Sequence, residues 1–410
     1  MAHGGEAVGR TTDGRALFVA GALPGEEVDA RIVEMHRRYG RGYADAPPAV
    51  PSADRVAAPC PHFGAWPARG AASGAWCGGC QWQHVEGAAQ LRFKRSILVD
   101  ALTRIGGIST PNVLPILGMT SPWGYRNKLR TRLIGGRPGL VAVDGRRLVP
   151  LDACAIAHPT VLAHVLAFEA DLPDGLEVTF RAGTRTGDAL IVIDDPDDVV
   201  GAIDVATDAS VVIVDGGGGL GIASGRSFYV ESFRGDTIGV PATSFFQVNT
   251  EMAERLADAV RQALGPSPGR VVDAFCGIGT LTGALADAAA EVIAIDHDGG
   301  AIAAAVANTG GRTNVTLVEG DAAEALAEYG AGMDALVVDP PRGGLDEAAR
   351  RVIAGHRPPR LIYVSCDPTT LARDVAALAA AGYAHRSTQP IDMFPQTYHS
   401  ESVTVLDRGA

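Results

Sequence analysis

Hydrophobic and polar positions keep two rhythms along this chain. Over residues 5–46, short apolar stretches such as ALFVAGAL and ARIVEM are broken by Gly4-Gly5, Asp13-Gly14 and Pro24-Gly25. Brief strands joined by tight turns predict a small antiparallel barrel. The stretch APPAVPSADRVAAP follows and reads as a linker, and residues 60–84, rich in Cys, Trp and Gly, show little periodicity. From Glu86 to about Ile105, Leu91, Phe93, Ile97, Leu98, Leu102 and Ile105 recur at helical spacing, which predicts a helix with Arg and Lys on its other face. Residues 125–245 are mostly strand-like, most clearly in LEVTFRAG, DALIVID, VVIVD and SFYVESF.

After Asn249 the rhythm changes. MAERLADAVRQALG is helical, RVVDAF a buried strand, LTGALADAAA a helix, EVIAID a strand and AIAAAVANTG a helix. The alternation continues through VTLVEG, DALVVDPP, LIYVSC and LARDVAALAAAG to a final strand, SVTVLD. Strands alternating with helices of this length predict a parallel, doubly wound α/β domain.

Length and composition refine the picture. The 410 residues suggest two to four domains, and 47% hydrophobic residues supply ample core. No apolar run reaches the ~18 residues of a membrane helix, and MAHGGEAVGR carries no apolar signal region. The expectation is a soluble, cytoplasmic protein with no membrane partner. The net charge of −12 hides an asymmetry, since residues 1–150 hold 19 basic against 11 acidic side chains and residues 151–410 hold 16 against 36. Between Leu91 and Arg147 eleven cations meet only Asp100 and Asp144. Such a stretch can hold a polyanion locally, because charge acts over roughly a Debye length of ~10 Å; a merely solvated Arg-rich surface is the competing reading.

Candidate chemistry gathers at the ends of the C-terminal strands. Asp273-Ala-Phe-Cys-Gly-Ile-Gly279-Thr280 runs from a strand through a glycine turn into a helix, and glycine lets a ligand approach the backbone. One strand later Asp296 stands at a strand end, where a carboxylate can accept both hydroxyls of a ribose. The turn is not GxGxxG, so a nucleoside without a pyrophosphate fits better, and S-adenosylmethionine is the common one. The competing reading is a tight connection with no ligand. A second glycine run, Asp215-Gly-Gly-Gly-Gly-Leu-Gly221, continues as strand and reads as a hairpin turn.

Asp339, in Asp-Pro-Pro-Arg342, follows another strand at the same edge. So does Cys366, with Asp367 suited to an N-cap and Pro368 to the first helical turn. A helix N-terminus favours a thiolate, Asp367 opposes it, and the site suits a nucleophile better than a buried core thiol. Cys276, inside the glycine turn, reads as packing. Glu401, before the last strand, can serve as a base; alone it is an exposed edge charge.

The other cysteines are Cys60, Cys77, Cys80 and Cys154. Cys77-Gly-Gly-Cys80 is a CxxC pair able to grip one metal centre, with the two distant thiols completing four ligands. Spacing does not separate zinc from iron–sulfur, and a redox CxxC lacks the thioredoxin-like surroundings.

Seven ordered segments, CPHFG with CGGCQWQH, YRNKLR, SFFQVN, DAFCGIGT, DPPRGG, YVSCDPTTLARD and FPQTYHSE, resemble the RNA 5-methyluridine methyltransferases, in the branch with a TRAM domain and an iron–sulfur cluster, typified by the 23S rRNA uridine-C5 enzymes. The resemblance runs from DGRALFVAGALPGEEV to Glu401. It implies Cys366 as nucleophile and Glu401 as the base that removes the C5 proton. It implies S-adenosylmethionine contacts from Gln247, Phe275, Thr280, Asp296, Asp321 and Asp339, and a [4Fe–4S] cluster on Cys60, Cys77, Cys80 and Cys154; because this methylation needs no electron transfer, a structural role is expected before a redox one. Three departures stand out: Asp367 where the family usually has Asn, Asp296 where Glu is common, and sixteen residues between Cys60 and Cys77 where relatives have a few. That insertion, with GAWPARGAASGAW, reads as a flexible surface loop.

The expected architecture is a TRAM/OB-like barrel over 1–52, a central mostly-β domain with the four-cysteine site over 56–84 and 108–243, and a Rossmann-like methyltransferase domain over 85–107 and 244–410. The expected partner is structured RNA, rRNA before tRNA, bound by a monomer, with Tyr125-Arg126-Asn127-Lys128 touching it. Two rivals are methylation of an exocyclic amine, for which Arg342 replaces the usual stacking aromatic and Cys366 has no task, and an RNA-binding protein with a decayed site, against which Cys366 and Glu401 argue.

Overall fold

A computed structural model describes residues 1–11, 13–64, 75–201, 203 and 205–409. Most of the insertion read as a flexible loop, residues 65–74, lies outside the described residues. By internal contacts the chain divides into two units: Met1–Phe93 with Thr120–Ser227 and Phe394–Tyr398, and Lys94–Met119 with Phe228–Met393 and His399–Ala410. The units cut across the expected domain ranges: residues 85–93 and 394–398 go with the first unit, and residues 108–119 and 228–243 with the second.

The first unit opens with β1 (Ala7–Arg10), β2 (Ala16–Ala20), β3 (Ala30–Met35) and β4 (Tyr39–Ala44), in the order β1-β2-β4-β3. The antiparallel arrangement expected here needs correction, because β2 and β4 run parallel. The β3–β4 hairpin folds back as a piece, so that its second strand lies against β2. The stretch read as a linker is anchored: Arg55 Nε and Nη2 each donate at 2.6 Å to the Glu26 carboxylate.

Helix α1 (Gly87–Arg104) matches the expected span, and the unit boundary falls within it. Seven further strands, β5 (Lys128–Ile134), β6 (Arg137–Val141), β7 (Leu148–Pro150), β8 (Glu177–Ala182), β9 (Ala189–Asp195), β10 (Ser210–Asp215) and β11 (Leu220–Ser224), form one sheet, ordered β11-β10-β9-β8-β5-β6-β7. Helix α2 (Pro159–Ala167) sets Val161 and Val165 against Leu133, Phe180 and Ile191 of that sheet. The glycine run is a hairpin turn, as expected: Val214 pairs with Leu220, and the Asp215 carboxylate accepts from Gly217 and Gly219 N–H.

The second unit begins with a hairpin, β12 (Phe228–Phe233) and β13 (Asp236–Pro241), and helix α3 (Thr250–Ala263). There follow β14 (Arg270–Ala274), α4 (Thr280–Ala286), β15 (Glu291–Asp296), α5 (Gly299–Asn308), β16 (Val315–Glu319), α6 (Ala322–Tyr329), β17 (Ala335–Val338), α7 (Glu347–His356), β18 (Arg360–Ser365), α8 (Pro368–Ala380), β19 (Tyr383–Ile391) and β20 (Glu401–Arg408). The sheet order is β16-β15-β14-β17-β18-β20-β19, parallel through β18, with β20 antiparallel to both neighbours. Central strands read as unbroken apolar runs because helices cover both faces. Leu98, Ala101 and Leu102 of α1 join this core beside Val272, Leu336 and Leu361. Strand order reverses between β14 and β17, which opens a crevice at their C-terminal ends.

The basic stretch is less open than its composition suggested. Asp54 pairs with Arg92, Glu177 with Arg130 and Glu169 with Arg137 in the first unit, all acids distant in sequence. In the second, Lys94 is fully buried and meets Asp392 at 2.5 Å, and Arg95 donates to the carbonyls of Val113 and Leu114. Tyr125 and Asn127 are buried, with the Tyr125 hydroxyl donating to Pro395 O at 2.9 Å, so these two do not form the exposed RNA contact expected of them. Among the described residues no helix is long and apolar enough to cross a membrane.

Candidate active site and comparison with known proteins

Residues at the C-terminal ends of β14, β15 and β17 line a cavity of about 240 Å³. The glycine turn makes it possible. Phe275, Gly277 and Gly279 all take positive φ, at 67°, 55° and 82°, and Gly279 caps α4. Only a left-handed backbone folds the chain back this tightly between strand and helix, and for Phe275 that conformation carries strain. A Cβ at Gly279 would meet that of Ala305 at 3.3 Å.

Five of the six expected cofactor residues, Gln247, Phe275, Thr280, Asp296 and Asp339, line this cavity. The Asp296 carboxylate accepts from Gly277 N–H at 2.8 Å and Asp298 N–H at 3.0 Å, which fixes its direction. Asp321 is placed otherwise: it is the N-cap of α6, accepting from Ala323 and Glu324 N–H, and it does not line the cavity. Cys276 is buried, and burial pushes its thiol up, which suits packing.

Sequence reasoning assigned no role to Asp273. Its side chain is fully buried, takes a 2.6 Å hydrogen bond from the Thr282 hydroxyl, and is pushed up to about 7 by burial and by the charges of Asp339 and Asp296. Burial likewise pushes Asp339 up to about 7. Asp339, an acid held near neutrality on the cavity lining, is suited to meeting a cationic ligand, whose charge would favour its ionised form; Asp273 is not part of that lining.

The second cluster lies one strand over. Cys366 directly follows β18, and Asp367 caps α8, accepting from Thr369 and Thr370 N–H at 2.8 and 2.9 Å, with Pro368 in the first turn as expected. Ser365 pairs with Ser402 across the β18–β20 ladder, so the next step of the register sets Cys366 against Glu401. Glu401 is buried, not an exposed edge charge, and also pairs with Ile391 of β19. Burial, reinforced by Asp339, raises its carboxyl well above the usual range, while Arg342 acts the other way.

The expected lowering of the Cys366 thiol is not found in the free protein. Burial, with the charges of Glu401, Asp339 and Asp367, pushes it up to about 11; Arg342 is the cation that opposes them. The helix N-terminus is present, but partial charges of ~0.5 do not outweigh desolvation and three carboxylates. Arg342 is therefore a site residue that the sequence reading missed; its signal was the position three residues after Asp339.

In the first unit Cys60, Cys77, Cys80 and Cys154 line one cavity of about 330 Å³. Burial pushes Cys77 up to about 11 and Cys80 to about 12, the neighbouring thiols add to the effect, and Arg126, which also lines the cavity, opposes it. Among the described residues no group of three or more His, Cys, Asp or Glu is arranged to hold a metal ion, so the four cysteines share a cavity without forming a ready-made metal site.

Known proteins resemble this chain in sequence and fold. The family model for tRNA (uracil-5-)-methyltransferase matches residues 324–409, that for the TRAM domain residues 2–44, and that for RNA cap guanine-N2 methyltransferase residues 269–352. An RNA methyltransferase of Thermosynechococcus vestitus is 34% identical, with 99% of this chain and 96% of that protein covered. One from Halalkalibacterium halodurans is 35% identical over 99% and 95%, and one from Streptomyces coelicolor 33% over 100% and 92%. Among solved structures, the tRNA (uracil-54, C5)-methyltransferase of Pyrococcus abyssi in complex with S-adenosyl-L-homocysteine superposes with a TM-score of 0.73 at 22% identity, covering 98% of this chain and 100% of that one.

Proposed function

Because this chain belongs to the RNA (uracil-C5)-methyltransferase family, we propose that it moves the methyl group of S-adenosylmethionine to C5 of a uridine in structured RNA through a transient bond between Cys366 Sγ and C6. The observation that carries this reading is the β18–β20 register, which brings Cys366 beside Glu401 at the sheet edge shared with Asp339 and Arg342.

Uracil C5 is too weak a nucleophile to attack a methyl sulfonium unaided. Addition of the Cys366 thiolate to C6 forms the C–S bond and moves the C5–C6 π electrons into an enolate shared between C5 and O4. C5 then takes the methyl group, and the sulfonium leaves as a neutral thioether. Glu401 removes the C5 proton, the ring double bond re-forms, and the thiolate departs. Arg342 favours the thiolate at the first step. The target ring must leave its stack to reach a sheet edge, at a cost of a few kcal/mol.

In this reading Gln247, Phe275, Thr280, Asp296 and Asp339 hold the cofactor, while Asp321, the N-cap of α6, stands outside the cavity they line. The chain works in the cytoplasm as three parts: a TRAM barrel, a central β part with the cysteine site, and the methyltransferase sheet. The guanine-N2 match ends at Val352, before both Cys366 and Glu401, so it covers the cofactor half of the sheet and leaves the proposed nucleophile and base outside.

We favour rRNA as substrate, on the combination of TRAM domain and four-cysteine site. The likeness to a tRNA uracil-54 enzyme keeps tRNA as the second reading. Mapping 5-methyluridine in total RNA with and without the gene tests both. A mark lost from 23S rRNA supports the first, a mark lost from tRNA the second, and an unchanged map sinks the uracil reading.

Four thiols lining one cavity, together with the family resemblance, support a [4Fe–4S] cluster on Cys60, Cys77, Cys80 and Cys154, with zinc as the second reading. It would brace the fold, and no methylation step passes through it. Protein prepared without oxygen should contain iron and acid-labile sulfide in equal amounts, both lost in Cys80→Ser. Zinc without sulfide would reassign the site.

A further inference from the structure

The segment Asp339–Leu345 carries both Asp339 and Arg342, yet Arg342 itself is exposed. The end of the segment is held by one carboxylate. Asp374, fully buried on the second turn of α8, accepts at Oδ2 from Leu345 N–H at 2.9 Å and from the Tyr363 hydroxyl at 2.8 Å. At Oδ1 it accepts from Arg350 at 3.1 Å and from Arg373, whose Nη2 also donates to Gly343 O at 2.8 Å. Gly344 lies between these anchors with φ +77°, and a Cβ there would come within 2.3 Å of Asp374 Oδ2. Glycine is thus required for both conformation and space.

The placement of these groups in the chain gives them their meaning. Tyr363 lies three residues before Cys366 on β18, and Arg373 and Asp374 lie on the helix that starts directly after it. The two elements flanking the nucleophile are the ones that grip the Arg342 segment. We infer that Asp374, with Arg373, is a positioning residue for methyl transfer, clamping the segment Asp339–Leu345 so that the Arg342 guanidinium is held toward Cys366. The clamp touches no substrate; it acts through Arg342. A buried carboxylate with four donors is rigid enough for the task, because every alternative arrangement leaves a charge or backbone group unpaired.

This inference rests on the proposed role of Cys366, and its test separates the two. Alkylation of Cys366 by iodoacetamide at pH 8, followed on the Cys366 peptide by mass spectrometry, needs neither RNA nor cofactor. Arg373 is half exposed, so Arg373→Met breaks the Gly343 anchor without stranding a buried cation. Arg342→Met and Arg373→Met should each slow alkylation roughly three- to tenfold, the effect of half to one pKa unit on the thiol. The double variant should be no slower than Arg342→Met alone, and Arg373→Lys should recover part of the rate. Multiplicative effects, or an Arg373→Met rate equal to wild type, would overturn the clamp. Should Arg373→Met fold poorly by thermal melt, Tyr363→Phe removes another donor to the same carboxylate and is read against Arg342→Met in the same way. Methyl transfer retained in Cys366→Ala would instead overturn the nucleophile assignment, while the alkylation comparison in the other variants still decides the clamp.

Discussion

Cys366→Ala should lose methyl transfer by a factor on the order of 10⁴ or more, and with it the covalent complex that the wild type should form with RNA carrying 5-fluorouridine. The reasoning is chemical. Fluorine at C5 cannot be removed as a proton can, so a ring that has added the thiolate and taken the methyl group has no route back and stays on the protein. Without Sγ no enolate forms, and no other described group at this sheet edge supplies a nucleophile of similar strength. Cys276, the nearest alternative in sequence, is buried in the glycine turn with its thiol pushed up. Fold stability should change little, within about 1 kcal/mol, because Cys366 is only partly buried and the α8 cap belongs to Asp367. Denaturing gels of labelled RNA with both proteins read the adduct. An adduct in Cys366→Ala, or wild-type methylation without one, refutes the covalent route.

Glu401→Gln should give the opposite phenotype in the same assay: natural RNA should become methylated and stay attached, and turnover should fall roughly 10²- to 10⁴-fold, the range for loss of a general base. The pH dependence has a definite sign. A base works ionised, and burial with Asp339 nearby has raised the Glu401 carboxyl, so wild-type release should climb with pH until that raised value is passed. The variant should lack this limb. Stability runs the other way. A carboxyl raised on folding contributes most below its unfolded value, and the contribution is lost as pH rises through the folded one. Glu401→Gln, which cannot ionise, should therefore melt above wild type at neutral and alkaline pH and close to it near pH 4. Free turnover in the variant would hand the base to another group.

Local signals carried much of this site. A nucleophile at a strand end needs a neighbour that starts a helix, and Asp367-Pro368 announces one within two residues. The glycine turn and Asp296 are legible for the same reason: strand, tight turn and helix are written in consecutive positions. Arg342 and Asp273 escaped because their significance is a matter of surroundings. Arg342 counts because a neighbouring strand brings Cys366 and Glu401 under its charge, and Asp273 because burial, which a single Asp in an apolar strand does not declare, moves it toward neutrality.

Where the two levels parted, long-range pairing made the difference. Lys94 sat on what looked like the polar face of a helix, but Asp392, almost three hundred residues on, draws it inside as an ion pair. Glu177, Glu169 and Asp54 likewise answer arginines that had seemed unopposed. The β2–β4 pairing is parallel although every local turn suggested antiparallel neighbours. Periodicity, turn residues and motif order thus determined which elements form and the doubly wound sheet, and singled out Cys366 as a candidate, because these depend on contacts within a few residues; Glu401 was a candidate only through the family resemblance. Which charges are neutralised, which strands become neighbours, and how far each ionisable group departs from its solution behaviour were decided only by the folded chain, because burial and Coulomb interaction depend on distance through space rather than along the backbone.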